Sequence, residues 1–246
     1  MIETVIEKCN QLKLSSFATH LEPTLKTGEQ ANWGMLKTIE HLLDLEMERR
    51  EQNRVNLRFR QSFLEEISTI DQFDFNYHVS RKKQKNTILN LLTKNHSKQI
   101  LDIILIGNPG TGKTMLAKCI GYQATQNGTK VLFTTAMELI NQLIAADANR
   151  TLLKKLHSYQ TPDLLIIDEI GYLPLGSEGS NLFFQIISAR HQKKSTLITT
   201  NLLFADWGRV FDNTTVATAI VDRLVYGAQI LMLEGESYRK TRKLKQ

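Results

Sequence analysis

Residues 103–121 read IILIGNPGTGKTMLAKCIG, a short apolar run followed by a glycine-rich loop that contains a lysine. Within this stretch, GNPGTGKT at 107–114 matches the pattern G-x-x-x-x-G-K-[ST]. The pattern requires a strand before it and a helix after it, and we expect a strand over residues 103–106 and a helix over 115–121. The stretch therefore predicts a loop that binds phosphate, and this context disfavours the alternative of a glycine-rich turn that binds nothing.

The residue types in this loop suit a nucleoside triphosphate. Glycines let the backbone curl so that successive N–H groups point at phosphate oxygens, and the helix N-terminus adds partial positive charge. Lys113 would reach the β- and γ-phosphates and Thr114 would hold Mg²⁺. The predicted nucleotide-binding residues are Gly107, Asn108, Pro109, Gly110, Thr111, Gly112, Lys113, Thr114 and Met115.

Two adjacent acids, Asp168 and Glu169, follow the apolar run in DLLIIDEIG. The end of a strand is where an open α/β sheet presents residues to its ligand. Asp168 would hold Mg²⁺ and Glu169 would orient the water that attacks the γ-phosphate, the alternative being a helix N-cap followed by an acid in the first turn. Asn201, at the end of STLITTN, could position the same water, although asparagine is also common in turns.

Phosphoryl transfer also needs positive charge near the transferred group. The candidates are Arg223 in TAIVDRLVYG and Arg239 in GESYRK. The pattern alone favours an exposed or ion-paired surface role for each.

Short β-favouring runs alternate with helical patterns from about residue 102 onward: DIILIG, KVLFTT, DLLIID, STLITTN and AQILML. Five strands joined by helices predict an α/β fold with a five-stranded parallel sheet flanked by helices. Residues 1–70 are polar and helix-favouring, which predicts a small N-terminal helical domain. Residues 71–100 are expected to form a connector and residues 101–246 the nucleotide-binding domain.

The composition limits the classes that remain. The chain has 246 residues, 31 Lys and Arg against 25 Asp and Glu, and a net charge of +6, which is compatible with nucleic acid. Cys9 and Cys119 are the only cysteines, so a disulfide framework or a CxxC metal site is excluded. With neither a signal peptide nor a long apolar stretch in the sequence, we expect a cytoplasmic protein without a membrane partner.

Several stretches together resemble the AAA+ ATPases of the initiator and helicase-loader group, and most of all the IstB-like helper ATPases of insertion-sequence transposition. They are QFDF, LIGNPGTGKTMLA, FTTAMELINQL, DLLIIDEIGYLPL, NLFFQIISAR, STLITTNLLFADWGRVF, TAIVDRL and GESYR. The resemblance spans nearly the whole chain but is looser over the first 70 residues. GYLPL, FADWG and GESYR distinguish this family from other P-loop proteins.

The resemblance implies an ATPase that uses ATP and Mg²⁺. Lys113 would belong to Walker A, Asp168 and Glu169 to Walker B, and Asn201 would be sensor 1. Arg223 would be the arginine finger that reaches a neighbouring subunit, and Arg239 the sensor-2 arginine. Members of this family form homo-oligomeric rings or spirals on duplex DNA, bend it, and recruit and activate a transposase.

The resemblance also implies that basic residues on helices contact DNA. The segment 137–157 carries Arg150, Lys154 and Lys155, which are available for phosphates. Arg50, Arg54 and Arg58 repeat every four residues, so a helix would align them, either for DNA or for pairing with nearby glutamates. Contacts to the DNA backbone should dominate, with weak sequence selectivity.

The function predicted is that of a bacterial, nucleoid-associated ATPase that helps transposition. A replicative helicase loader of the DnaC type is the alternative within the same superfamily. A small-molecule kinase shares the phosphate-binding loop, although two adjacent acids suit water activation better than transfer to an alcohol. A passive DNA-binding module without turnover is the last alternative.

Overall fold

The computed structural model describes residues 1–238 of the chain. Contacts between residues divide the protein into two compact units, with Met1–Leu57 in the first and the second beginning at Arg58. Among the described residues, no helix is both long enough and apolar enough to cross a lipid bilayer.

The first unit contains α1 (Ile2–Gln11), α2 (Ser15–Gln30) and most of α3 (Met35–Gln61). A buried carboxylate, that of Glu46 in α3, ties two of these helices together. Its Oε2 accepts the backbone N–H groups of Ser16 at 2.8 Å and Phe17 at 3.2 Å in the first turn of α2. These N–H groups have no partner within their own helix, so the carboxylate stabilises the start of α2.

The second unit alternates strands and helices. Its N-terminal part contains a 3₁₀ turn at Ile70–Gln72, α4 (Val79–Lys83) and α5 (Lys85–Leu92). The strands are β1 (Ile103–Ile106), β2 (Val131–Thr135), β3 (Leu164–Ile170), β4 (Ser195–Thr200) and β5 (Gln229–Met232). The helices are α6 (Lys113–Gln126), α7 (Ala136–Ala148), α8 (Leu152–Gln160), α9 (Gly176–Arg190) and α10 (Thr214–Val225), with a second 3₁₀ turn at Phe204–Arg209.

The described strands form one parallel sheet in the order β2-β3-β4-β1-β5. This confirms the α/β fold and the five-stranded parallel sheet expected from the sequence. β4 lies between β1 and β3, so the loops that follow these three strands meet at one edge of the sheet. In open α/β sheets this carboxyl edge is where ligands bind.

Both faces of the sheet are covered, as a parallel sheet requires. Ile104, Ile167 and Ile198 belong to one buried cluster, which includes side chains of α7, α8, α9 and α10. Their sequence neighbours, such as Ile103 and Ile166, belong to a second cluster with α5 and α6, because successive side chains of a strand point to opposite faces.

Residues 58–100 are part of this core. Leu64, Phe73, Ile88 and Leu91 are buried in the same cluster as Ile166 of β3. The sequence predicts a boundary at residue 70 and a connector over 71–100, whereas the division by contacts lies between residues 57 and 58. The physical reason is that the apolar side chains of this segment pack on the sheet.

A buried arginine holds the edge of the sheet opposite to the loops after β1, β3 and β4. Arg190, at the end of α9, donates hydrogen bonds to the carbonyl oxygens of Tyr159 at 3.0 Å and Pro162 at 2.9 Å. It also donates to Ser195 O and to Thr196 Oγ1 at the start of β4. Burial lowers the pKa of Arg190 to about 10, which leaves it charged at neutral pH. Arg190 therefore joins α8, α9 and β4.

Candidate nucleotide-binding site

The glycine-rich loop runs from β1 into α6, as predicted. Gly110 and Gly112 have φ angles of 82° and 93°, in the left-handed region that favours glycine. A Cβ atom at Gly107 would overlap the carbonyl oxygen of Leu233, and one at Gly110 would overlap Ser237. The loop therefore needs these glycines for its conformation and for its close contact with the segment after β5.

Lys113 supplies the cation of the loop. Its Nζ donates to the carbonyl oxygens of Gly107 at 2.7 Å and Asn108 at 3.0 Å. The residue is only 9% exposed, so its charge is kept inside the curled loop. Backbone N–H groups, a lysine and the N-terminus of α6 form an arrangement that suits an anion.

A β-bulge sets the two acids of β3 apart. Ile167 pairs with Ile198 and Ile170 pairs with Thr200, so Asp168 and Glu169 together oppose the single residue Thr199. Glu169 adopts a φ of 65° and its side chain is exposed. Its N–H donates to Thr199 Oγ1 at 3.0 Å. The bulge thus turns two neighbouring carboxylates toward different environments.

Asp168 is the buried acid, with 3% of the residue exposed. Its Oδ1 accepts hydrogen bonds from Thr114 Oγ1 at 3.1 Å and from Thr199 Oγ1. A hydroxyl and a carboxylate oxygen adjacent to a phosphate-binding loop fit Mg²⁺, which prefers one or two such ligands together with phosphate oxygens and water. Within residues 1–238 there is no group of three His, Cys, Asp or Glu side chains that could hold a metal by itself.

Asn201 follows β4 and lines the same cavity as Lys113, Thr114 and Glu169. Its Oδ1 is buried and has no hydrogen-bond partner among the described residues. An unpaired buried amide oxygen costs free energy unless a water or a ligand satisfies it. The structure therefore brings together every residue that the sequence predicts for the loop, for the paired acids and for the end of β4.

Part of the cavity wall was not predicted. The cavity has a volume of about 230 Å³, and residues far from the loop in sequence line it: Gln72, Phe73, Asp74, Arg81 and Tyr238. Gln72, Phe73 and Asp74 belong to QFDF and Tyr238 to GESYR, two stretches that carried the family resemblance, but none of these residues was given a role in the cavity. Arg81 lies outside both stretches. No sequence motif links these residues, because they come together only in the folded chain.

The remaining predicted residues lie elsewhere. Arg223 is in α10, where Nη1 donates to Ala219 O at 2.9 Å and the guanidinium lies 4.7 Å from the centre of the Phe184 ring. Among the described residues, the lining of the cavity does not include it. Arg239 lies outside the described residues, directly after Tyr238.

The candidate DNA-binding residues fall into two groups. Arg150 and Lys154 are exposed at and just after the break between α7 and α8, and Lys155 lies 5.2 Å from the centre of the Tyr159 ring. Arg50 and Arg54 instead pair with glutamates of their own helix, Glu46 at 2.8 Å and Glu51 at 3.0 Å. Arg58 is half-buried in the last turn of α3.

The sheet order, the loop after β1 and the two acids of β3 define the P-loop nucleotide-binding fold of the AAA+ class. Solved structures share this fold. The AMPPCP-bound DnaA from Aquifex aeolicus superposes with a TM-score of 0.59 at 20% identity, covering 74% of this chain and 55% of that chain. The DnaC helicase loader superposes with a TM-score of 0.58 at 24% identity, covering 68% of this chain and 96% of that chain.

The particular family follows from sequence comparison. The model of the family described as IstB-like ATP binding protein matches residues 7–246. A protein of Bacillus thuringiensis subsp. berliner, described as the ATP-binding protein of insertion sequence IS232, is 35% identical over 228 residues, 93% of this chain and 90% of that protein. A protein described in the same terms for IS21 of Pseudomonas aeruginosa is 34% identical over 238 residues, 96% of this chain and 88% of that protein. The chain belongs to the IstB-like ATP-binding family.

Proposed function

We propose that this protein is an ATP-hydrolysing, DNA-binding helper of transposition. It assembles on duplex DNA, remodels it, and recruits or activates the transposase of its insertion sequence, in the bacterial cytoplasm and on nucleoid DNA. The observation that carries the proposal is the convergence of the phosphate-binding loop, Asp168, Glu169 and Asn201 at one sheet edge. The relatives described as ATP-binding proteins of insertion sequences supply the biological context.

The paired acids divide the chemistry because their environments differ. Buried Asp168 and the hydroxyl of Thr114 supply oxygens that would hold Mg²⁺. When bound, Mg²⁺ would neutralise charge on the β- and γ-phosphates. Exposed Glu169 would orient a water molecule toward the γ-phosphate and accept its proton, with Asn201 holding the same water. Lys113 would exchange its carbonyl partners for phosphate oxygens.

The proposed assembly rests on two arginines. Arg223 is outside the lining of its own cavity, so its positive charge would act on the nucleotide of a neighbouring subunit. Arg239 would act within its own subunit. Bound ATP would then link subunits into a ring or spiral, and hydrolysis would release that contact, since the γ-phosphate is the group that both subunits hold.

DNA would be held through its phosphates. Arg150 and Lys154 are exposed near the break between α7 and α8, and each could neutralise a phosphate without breaking an ion pair. Lys155 would add to this surface. A phosphate contact by Arg50 would compete with its bond to the buried Glu46, and Arg54 would have to leave Glu51. We therefore expect the α7–α8 residues to contribute more to affinity.

The test compares Glu169→Gln with Glu178→Gln, a matched change at an exposed acid in the first turn of α9. Phosphate release and fluorescent-ATP binding are measured with duplex DNA. Glu169→Gln should keep ATP binding and lower hydrolysis at least about 100-fold, whereas Glu178→Gln should match the unchanged protein. Equal hydrolysis in both variants would overturn the role of Glu169.

Electron microscopy with duplex DNA and a non-hydrolysable ATP analogue tests assembly. Rings or spirals on bent DNA are expected, and Arg223→Ala should abolish DNA-stimulated hydrolysis while single subunits still bind ATP. Arg209→Ala, which changes an exposed arginine paired with Asp206, is the control. A protein that stays monomeric and leaves DNA straight would refute the remodelling function, and copurification with a hexameric helicase would favour the helicase loader.

A further inference from the structure

Arg81 is a buried cation that lies against the phosphate-binding loop. It lies in α4, at the start of the basic run of residues 81–83. Arg81 is 2% exposed, whereas Lys82 and Lys83 are exposed. Its Nη1 donates to the carbonyl oxygen of Asp74 at 2.9 Å, and its Nη2 donates to the carbonyl oxygen of Thr111 at 2.6 Å. One guanidinium therefore connects the chain before α4 to the middle of the loop.

Aromatic rings fix the guanidinium in place. Its carbon lies 4.5 Å from the ring centre of Phe73, 4.9 Å from that of Tyr77 and 5.6 Å from that of Tyr238. Cation–π contact at these distances favours the charged group in a buried position. Burial lowers the pKa of Arg81, but a guanidinium keeps its proton in proteins.

The segment after β5, which carries Tyr238, also bonds to the phosphate-binding loop. The backbone N–H of Tyr238 donates to Gly110 O at 3.0 Å. The Tyr77 hydroxyl donates to Glu236 O at 3.2 Å. The loop is thus held between the segment before α4 and the segment after β5, and Arg81 lies between the two.

The bond from Arg81 sets the direction of one peptide unit. The described residues contain no cis peptide bond, and in a trans peptide the C=O and the following N–H point in opposite directions. With the Thr111 carbonyl held toward Arg81, the N–H of Gly112 points away from Arg81. Gly112 is the N-cap of α6 and has no side chain, and its φ of 93° lies in the left-handed region that favours glycine.

We propose that Arg81 is a positioning residue for phosphate binding, which keeps the Gly112 N–H directed at the β-phosphate by holding the Thr111 carbonyl outward. Arg81 and Phe73 pack directly against this glycine, since a Cβ there would lie 3.0 Å from both Arg81 Nη2 and the Phe73 ring. This inference takes from the proposed function only that ATP is the ligand. It does not depend on binding to DNA or to a transposase.

The experiment measures ADP and adenosine affinity by calorimetry, without DNA, for the full chain carrying Arg81→Met or Arg81→Lys. Lys82→Met removes the same charge from an exposed position of the same helix and serves as the control. Arg81→Met should weaken ADP binding about 10- to 100-fold, the effect of losing a hydrogen bond to a charged group. Adenosine affinity should stay within about twofold, because adenosine has no phosphate for the Gly112 N–H. Arg81→Lys should recover part of the loss and Lys82→Met should show none.

Three results would overturn the proposal. One is ADP affinity within about twofold of the unchanged protein in Arg81→Met, and another is an equal loss for adenosine and ADP, which would indicate loosened packing. If Arg81→Met does not fold, the Arg81→Lys variant is used in its place. The third result that would overturn the proposal is an unchanged ADP affinity in Arg81→Lys. A chain that shows the expected ADP effect but never binds duplex DNA would refute the proposed function and leave this inference standing.

Discussion

The hydroxyl of Thr199 holds the bulge that separates the two acids, so its removal is a sharp test of the site. Thr199 Oγ1 donates to Asp168 Oδ1 and accepts the N–H of Glu169 at 3.0 Å, and the residue is 1% exposed. Thr199→Val keeps the shape and removes both bonds. A hydrogen bond to a charged group contributes about 1.5–3 kcal/mol and a neutral one about 1 kcal/mol, so the free energy of unfolding should fall by about 2–4 kcal/mol.

Catalysis should change by more than stability does. Without the bond to its N–H, Glu169 loses the constraint on its φ of 65°, and its carboxylate samples orientations that do not face the attacking water. We expect kcat for ATP to fall at least about 10-fold while KM stays within about threefold, since the phosphate-binding loop is untouched.

Urea unfolding followed by circular dichroism and steady-state phosphate release measure the two effects. The matched control is Thr93→Val, at an exposed threonine whose hydroxyl donates only to the nearby Asn90 O. The control should change stability by less than about 0.5 kcal/mol. A Thr199→Val protein with unchanged stability, or with unchanged kcat once folded, would refute the role assigned to this hydroxyl.

Further changes test other parts of the second unit. Arg190→Met should lower the free energy of unfolding by more than about 3 kcal/mol, because it leaves buried carbonyl oxygens without donors. Urea unfolding measures this loss, with Lys194→Met as the control. A loss of less than about 1 kcal/mol would contradict the prediction. Burial lowers the pKa of His96 from 6.5 to about 4, so the unfolded state binds the proton first as the pH falls. The free energy of unfolding should therefore rise by about 3 kcal/mol between pH 4 and pH 6.5. His96→Gln should flatten this rise in urea titrations, and an unchanged dependence of stability on pH would contradict the prediction. Gly121→Ala should cost about 1–3 kcal/mol, because its Cβ would lie 2.7 Å from Ile166 Cδ1; a thermal midpoint equal to that of the unchanged protein would show that α6 can shift freely.

Much of the fold was predictable because its signals are local. The apolar runs and the glycine spacing indicated the strands and the loop, and the sheet order confirmed the parallel α/β architecture. The boundary at residue 70 was different, since Leu64 from the predicted helical domain and Phe73 from the predicted connector both pack on the sheet. Whether a single apolar side chain is buried depends on the distant part of the chain that it packs against, and the local sequence does not show this.

The candidate site shows the same division. Lys113, Asp168 and Glu169 were predicted from motifs, but the distinction between the acids was argued from roles and not from their surroundings. The bulge opposite Thr199, which buries one carboxylate and exposes the other, required the pairing of β3 with β4. Arg81 is followed directly by Lys82 and Lys83 in the sequence, and nothing in that pattern indicates that Arg81 alone is buried under the loop.

The sequence by itself determined the phosphate-binding loop, the alternation of strands and helices, and the family. These depend on backbone preferences and spacings that act over a few neighbouring residues. Only the tertiary structure decided which groups complete the loop, namely Arg81, Phe73 and Tyr238, and which acid is buried. The reason is that a hydrogen bond such as that from Tyr238 N to Gly110 O joins residues far apart in the chain, whose meeting depends on the packing of the whole sheet.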